Sequence, residues 1–224
     1  MSANFHKNKI GTGVFTTSDV AAILGKSTHR VSRYIKEYGD SRIGRKLFNE
    51  DYSWFVDGSR LVNFYALIEI AVFLLLRDEF QLQISTITKA HESMASMLNT
   101  PYPFASAKVF TDSKKICYES IGDLINADSS HQINIKEIVR PLLDKIDFDG
   151  FDLAMRYYPL GKSHEVVVDP RHQFGQPTIR NTNIRVETIK DMMDGGETIE
   201  SMKLLYGLNK KQIADSLLYY KKAA

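Results

Sequence analysis

The chain has 224 residues, of which 43% are hydrophobic, and a formal net charge of +2. That length allows one large domain or two small ones, each with an ordinary apolar core. The most apolar run, Leu67 to Leu76, is about half as long as a membrane-spanning helix, and residues 1–10 lack the apolar centre of a signal peptide. We therefore expect a cytoplasmic protein without membrane contact. The single Cys117 excludes an intramolecular disulfide and a thiolate metal cluster.

The positive charge is concentrated at the start of the chain. Residues 1–60 carry 10 Lys and Arg and 6 Asp and Glu, whereas residues 61–224 carry 19 and 21. An excess of cations on one segment is typical of a nucleic-acid-binding surface. A mildly basic segment can equally be an ordinary solvated surface, so charge alone does not choose between the two.

The segment from Phe15 to Arg60 predicts a winged helix-turn-helix. Thr17 or Ser18 is a suitable N-cap for a first helix, and Gly25 gives the backbone freedom that a tight turn after that helix requires. A second helix follows. After it, Asp57-Gly58 separates two short runs rich in aromatic and β-branched residues, which predicts the two strands of a wing.

The second helix presents the residues that we expect to contact DNA. Ser27 or Thr28 caps it, and Val31 and Ile35 face the core at a spacing of four. Its remaining side chains, together with the cations that flank the wing, resemble a recognition helix with its phosphate contacts. The predicted DNA-binding set is Ser27, Thr28, His29, Arg30, Arg33, Tyr34, Lys36, Arg42, Arg45, Lys46 and Arg60.

The middle of the chain predicts helices alternating with short hairpins. A buried helix from residue 63 to about 80 and an amphipathic helix over 82–98 close the first domain and can also supply a dimer interface. Hairpins are expected over 107–120 and 152–169, with a helix over 133–146 between them. The acidic run from Asp144 to Asp152 predicts a surface turn that suits a basic protein partner.

Three short helices are expected near the C-terminal end, over 186–196, 198–207 and 209–222. Gly207 is a suitable stop for the second, and Asn209 with Gln212 forms a capping-box pattern before the third. The predicted fold is mainly α with small β-hairpins: an N-terminal winged helix-turn-helix and a C-terminal three-helix, homeodomain-like bundle. The predicted divisions are 1–100, a connecting region over 101–165, and 166–224.

Two stretches resemble known families. FTTSDVAAILGKSTHRVSRYI and DGSRLV resemble the helix pair and wing turn of MerR-type regulators, without the long coiled coil and effector cysteines of the metal-sensing members. The C-terminal stretch resembles the bacterial domain-of-unknown-function family numbered 433, in which a strand, Asp-Pro, Gly-x-Pro and an Arg- or Asn-containing turn precede three helices. Here these elements are Val166 to Val168, Asp169-Pro170, Gly175-Gln176-Pro177 and Arg180 to Arg185.

The second resemblance implies a function. The longer two-domain members of that family are regarded as VapB-like antitoxins whose usual partner is a PIN-like ribonuclease toxin. The resemblance therefore implies a DNA-binding antitoxin of a type II toxin–antitoxin system, which neutralises such a toxin and represses its own operon as a homodimer on operator DNA.

Two other functions stay open at the level of sequence: a MerR-like transcriptional regulator without a toxin, and a protein-interaction scaffold, which the 11 Tyr residues would suit. Catalysis is not expected, because no nucleophile and base form a recognisable motif. The six His residues do not have the spacing of a metal site, so we also expect neither a metal nor another cofactor.

Overall fold

The structure is a computed structural model that describes residues 11–44, 52–106 and 135–223, without the side chains of 42–44, 135–138 and 223. The hairpin predicted over 107–120 lies outside these ranges. Helices predominate, and the strands form small antiparallel sheets, as expected. None of the described helices is both long enough and apolar enough to span a bilayer.

The N-terminal elements are a helix pair and a three-stranded antiparallel sheet. In chain order they are β1 (Phe15–Thr16), α1 (Thr17–Leu24), α2 (Thr28–Tyr34), a π-helical continuation (Ile35–Gly44), β2 (Ser53–Val56) and β3 (Ser59–Val62). Strand β3 lies between β1 and β2. Asp57 and Gly58, which connect β2 to β3, both have positive φ, the backbone that a tight hairpin turn requires. Both predicted helices and the predicted hairpin are therefore present.

Side-chain hydrogen bonds set where the first two helices begin. Thr16 caps α1, because its hydroxyl accepts the Asp19 N–H at 3.1 Å while the Asp19 carboxylate accepts the Thr16 N–H at 2.8 Å. The predicted cap at Thr17 or Ser18 is wrong, since this reciprocal pair needs a spacing of three residues. Helix α1 ends at a left-handed glycine and Ser27 caps α2, both as predicted.

Two longer helices supply much of the first hydrophobic core. Helix α3 (Phe64–Asp78) is buried along most of its length, and α4 (Ile84–Leu98) is followed by a single 3₁₀ turn at Pro103–Ala105. A buried polar network joins the two helices: Glu69 Oε2 lies 2.7 Å from His91 Nε2, and the Tyr52 hydroxyl lies 3.0 Å from the same nitrogen. Burial, opposed by the His91 contact, raises the pKa of Glu69 above its usual range.

The middle of the chain forms a hairpin different from the predicted one. After α5 (Ile135–Leu143), strand β4 (Ile146–Phe148) pairs antiparallel with β5 (Ala154–Tyr157). Residues 164–169 were expected to be the partner strand of β5, but their backbone pairs with it only through an isolated bridge between Tyr157 and Val168. Only the second half of the acidic run is a turn, in which the Asp149 carboxylate accepts the N–H groups of residues 151 and 153, whereas Asp147 lies within β4.

The C-terminal segment consists of a two-stranded sheet and three helices. Its elements are β6 (Val166–Val167), β7 (Thr178–Ile179), α6 (Val186–Asp194), α7 (Ile199–Tyr206) and α8 (Lys210–Ala223). The three predicted helices are confirmed, and Gly207 ends α7 in the left-handed conformation. Asn209 and Gln212 exchange hydrogen bonds of 2.9 Å in each direction, which confirms the capping box at the start of α8.

Two hydrophobic clusters organise the described residues. The first runs from β1 through α3 and α4 and includes Ile146 and Tyr157, so the connecting region shares the N-terminal core. The second lies within the C-terminal segment. The two halves meet at the loop before β7: Val14 N–H donates to Phe174 C=O at 2.8 Å, and Gly175 lies against the buried ring of Phe15. The division into three domains stays a prediction.

Candidate nucleic-acid interface

Helix α2 and its π-helical continuation expose most of the predicted DNA-contacting residues. The exposed members are Ser27, Thr28, His29, Arg30, Arg33 and Lys36. Hydroxyl groups and cations of this kind contact phosphate oxygens, and arginine forks can also read the edge of a guanine base. The exposed surface of this helical segment therefore has the chemistry of a DNA-contacting surface.

Arg30 is oriented by a carboxylate on a different helix. Its Nη2 lies 2.6 Å from Asp78 Oδ1 at the end of α3, and Lys26 Nζ lies 3.4 Å from the other oxygen of the same carboxylate. The Asp78 side chain is 9% exposed, whereas that of Arg30 is 55% exposed. Asp78 thus fixes the beginning of α2 to α3 while a large part of the Arg30 guanidinium remains accessible.

Arg33 makes a weaker contact along its own helical turn. Its Nε lies 3.1 Å from Glu37 Oε2, four residues on, and both side chains are about half exposed. The hydrogen bond to Glu37 raises the pKa of Arg33 above its usual value, so the guanidinium remains charged. Exposed pairs of this kind exchange readily for other partners, which leaves Arg33 available for a phosphate or a base.

Tyr34 is not exposed, and its prediction as a DNA contact is wrong. The residue is 2% exposed, and its ring centroid lies 4.4 Å from that of Phe73 on α3 and 6.1 Å from that of Tyr38. Residues 31, 34, 35 and 38 have the spacing of one helical face, so Tyr34 continues the apolar stripe that Val31 begins. Burial raises the pKa of its hydroxyl well above the usual value.

Arg60 positions the β2–β3 hairpin. It forms an ion pair with Asp40 of the π-helical continuation, and Asp40 also accepts hydrogen bonds from the N–H and hydroxyl of Ser53. The Arg60 guanidinium lies 4.5 Å from the centre of the Phe55 ring. Its side chain is only 21% exposed, so its contacts serve mainly to hold the hairpin against the helical segment.

Three of the predicted cations cannot be placed. The side chain of Arg42, and Arg45 and Lys46 entirely, lie outside the described residues. Their role as phosphate contacts stays a prediction.

Two features of this region were not predicted from the sequence. The tip of the β2–β3 hairpin is apolar and accessible, with Phe55 61% exposed and Val56 48% exposed. A cavity of about 400 Å³ also adjoins α2, lined among others by Arg30, Arg33 and Arg77. The alternation of Trp54 and Phe55 along β2 was the available signal for the first feature. The cavity depends on the packing of α2 against α3, for which the sequence contains no local signal.

The C-terminal segment is similar to a known protein family. Residues 166–220 match the family model described as Protein of unknown function (DUF433). That match confirms the predicted resemblance for this segment, which holds β6, β7 and the three helices. The MerR-like resemblance of the N-terminal segment stays a prediction.

Among the described residues, no three His, Cys, Asp or Glu side chains are grouped as a metal site would require.

Two relatives from Mycobacterium tuberculosis cover longer parts of the chain. Rv2308, an uncharacterized protein, is 27% identical over 160 residues, which is 65% of each chain. A protein named "Putative antitoxin VapB45" is 29% identical over 130 residues, which is 52% of this chain and 54% of the relative. The chain therefore spans less than two thirds of the length of both relatives.

The crystal structure of Rv2018 from the same organism has a similar fold. It superposes with a TM-score of 0.71 over 95% of this chain and 100% of Rv2018, at 20% sequence identity. At that identity the similarity concerns the fold alone. The arrangement of helices and small sheets described above is therefore shared with a solved protein along nearly its whole length.

Proposed function

We propose that this protein is a DNA-binding antitoxin of a type II toxin–antitoxin system. In this proposal, α2 and the β2–β3 wing contact operator DNA, and the C-terminal segment binds a PIN-like ribonuclease toxin. The observation that carries the DNA half is the accessibility of Arg30 and Arg33 on a helix whose other side is packed in the core. The similarity to VapB45 and to DUF433 supports the toxin half. The proposal assigns no catalytic reaction to the chain.

Helix α7 provides the surface that best suits a protein partner. Leu204 is 87% exposed, Leu205 66% and Tyr206 40%, and they are consecutive in the chain. Apolar side chains grouped on a surface are typical of a site that a partner covers, and aromatic residues are enriched in such contacts. We therefore assign the toxin contact to the C-terminal end of α7.

The toxin half is tested by co-expression with the small protein encoded beside this chain's gene. We expect the two proteins to co-purify and the ribonuclease activity of the neighbour to fall in proportion to the amount of antitoxin added. The double variant Leu204→Ser and Leu205→Ser should abolish both effects. Phe151→Ser is the matched control, because Phe151 is equally accessible, at 81%, but lies on the acidic β4–β5 turn.

The results for the two variants distinguish a toxin contact at the end of α7 from one at the acidic β4–β5 turn. If Phe151→Ser disrupts the complex and the α7 double variant does not, the toxin contact lies at the acidic turn and our assignment to α7 is wrong. If the neighbour neither co-purifies nor is inhibited, the toxin half of the proposal is refuted.

A regulator without a toxin is the second candidate. The cavity of about 400 Å³ beside α2 favours it, because a small molecule bound there would contact Arg30 and Arg33 directly and compete with DNA for them. This candidate predicts operator binding without any effect on a neighbouring ribonuclease. Operator binding as a homodimer is part of both proposals, and light scattering of the purified chain tests it.

A further inference from the structure

A second polar cavity, of about 440 Å³, lies between β5 and the loop that joins β7 to α6. Its volume falls in the range of small-molecule binding sites. Its lining includes none of the predicted DNA-contacting residues and neither of the exposed leucines of α7. Most of its wall belongs to the segment that matches DUF433, with Arg156 and Tyr158 contributed by the preceding hairpin.

The lining of the cavity carries a net positive charge. Two of its lining residues, Arg156 and Arg180, are cations, and Asp169 is the acidic residue that faces them. Asp169 is 3% exposed and is already engaged, since Arg156 Nε donates to its Oδ2 at 2.8 Å and the Arg171 N–H donates to its Oδ1 at 3.0 Å. In the described part of the chain, no carboxylate lies within ion-pair distance of Arg180.

The cationic groups are held in place by contacts with the protein. Arg180 Nη1 donates to the Lys162 carbonyl at 3.3 Å, and its guanidinium lies 5.6 Å from the centre of the Tyr158 ring. His172 and Asn183 also line the cavity, and His172 Nδ1 lies 3.2 Å from Asn183 Oδ1. A ligand would therefore meet side chains that are already oriented, which reduces the entropy lost on binding.

We propose that this cavity binds a phosphate group. An arginine guanidinium donates two parallel hydrogen bonds to phosphate oxygens, and Arg156 and Arg180 line the same cavity. Asn181, which has a positive φ of 62°, supplies a further polar side chain beside them. The phosphate can belong to a small phosphorylated molecule or to a DNA backbone. The site depends on neither the toxin nor the arginines of α2.

The test is isothermal titration of the full chain with three probes at constant ionic strength: inorganic phosphate, adenosine monophosphate and a short DNA duplex. The variants are Arg180→Gln, which removes the cation, and Arg180→Lys, which keeps the charge but loses the fork. Arg185→Gln is the matched control, because Arg185 is an exposed cation of the same segment that is paired with Glu187 and does not line the cavity. Circular dichroism of each variant without ligand checks that the fold is intact.

We expect a small phosphate probe to bind. Arg180→Gln should raise the Kd of that probe about tenfold or more, because it removes both the charge and the paired hydrogen bonds of the guanidinium. Arg180→Lys should have an intermediate effect, because it keeps the charge and loses the paired hydrogen bonds. Arg185→Gln should bind as the unaltered chain does. Binding of the duplex alone, weakened by Arg180→Gln and not by Arg185→Gln, would also support the site and assign the phosphate to DNA. If no probe binds, or if the two glutamine variants behave alike with every probe, the proposal is overturned.

Discussion

Gly175 lies where the C-terminal half packs on the N-terminal core, and a single methyl group there should weaken this packing. It has a φ of +90°, and a Cβ placed on it would overlap the ring of Phe15, which is fully buried in β1. Two costs follow for Gly175→Ala. A side chain at positive φ costs about 1–2 kcal/mol, and forcing an atom into a packed core costs a further 1–3 kcal/mol or so.

Gly196→Ala separates these two costs. Gly196 has nearly the same φ, +88°, but a Cβ there would meet no atom within 4 Å. We therefore expect Gly196→Ala to lower the free energy of unfolding by about 1–2 kcal/mol and Gly175→Ala by about 2–5 kcal/mol. For a chain of this size the larger value corresponds to a fall in Tm of roughly 4–20 °C.

The assay is urea unfolding followed by two signals. Fluorescence of Trp54, the single tryptophan, reports on the N-terminal sheet, and far-ultraviolet circular dichroism reports on all helices. Gly175→Ala should lower the unfolding midpoint in both signals, because Gly175 contacts the N-terminal core through Phe15. If the two alanine variants differ by less than about 0.5 kcal/mol, the junction between loop and sheet is not packed as described.

Three further predictions concern the first core and the wing. Tyr34→Phe should leave DNA affinity unchanged and should not lower stability, because the buried hydroxyl that it removes has no hydrogen-bond partner among the described residues; reduced DNA affinity would restore Tyr34 as a contact. Burial raises the pKa of Glu69 above its ordinary 4.5, so the folded chain binds the carboxyl proton of Glu69 more tightly than the unfolded chain does. The resulting stabilisation is fully present below pH 4.5 and is lost as the pH rises through the pKa of Glu69 in the folded chain. Glu69→Gln should therefore give a flatter dependence of unfolding free energy on pH above 4.5, and a curve parallel to that of the unaltered chain would contradict this. Arg60→Ala should cost about 1–3 kcal/mol in urea unfolding because it leaves the Asp40 carboxylate without its cation, whereas Arg185→Ala, at an exposed pair, should stay within about 0.5 kcal/mol; equal effects would contradict the role given to Arg60.

Features with a local sequence signal could be predicted. The hairpin turn at Asp57-Gly58 and the capping box from Asn209 to Gln212 each depend on residues that are close in the chain, and both were found where expected. The three C-terminal helices were identified for the same reason. In each case the side chains that specify the element are part of the element.

Contacts between distant residues could not be predicted in this way. Asp78, whose carboxylate orients Arg30, lies 48 residues away in the chain. Asp40, whose carboxylate holds Arg60, lies 20 residues away in the π-helical continuation of α2. The partner of β5 was also assigned wrongly, because Ile146 to Phe148 lies in the acidic run that was interpreted as a surface turn, and only the tertiary packing shows it to be a strand.

Tyr34 illustrates a limit of periodicity. Its polar hydroxyl suggested an exposed position, but its spacing from Val31 and Tyr38 places its ring on the buried side of the helix. A stripe counted through residue 38, rather than ended at Ile35, would have identified it as a core residue.

The measurement that tests the central claim most directly is DNA affinity as a function of salt. Fluorescence anisotropy with the DNA upstream of this chain's own gene compares Arg30→Ala and Arg33→Ala with the charge-matched Arg185→Ala. We expect each α2 variant to lose about 1–3 kcal/mol of binding free energy if its arginine reads a base, or to reduce the salt slope by about 1 if it contacts a phosphate, while Arg185→Ala retains both. Unchanged affinity and salt slope for both α2 variants would contradict the assignment of α2 as the DNA-contacting helix.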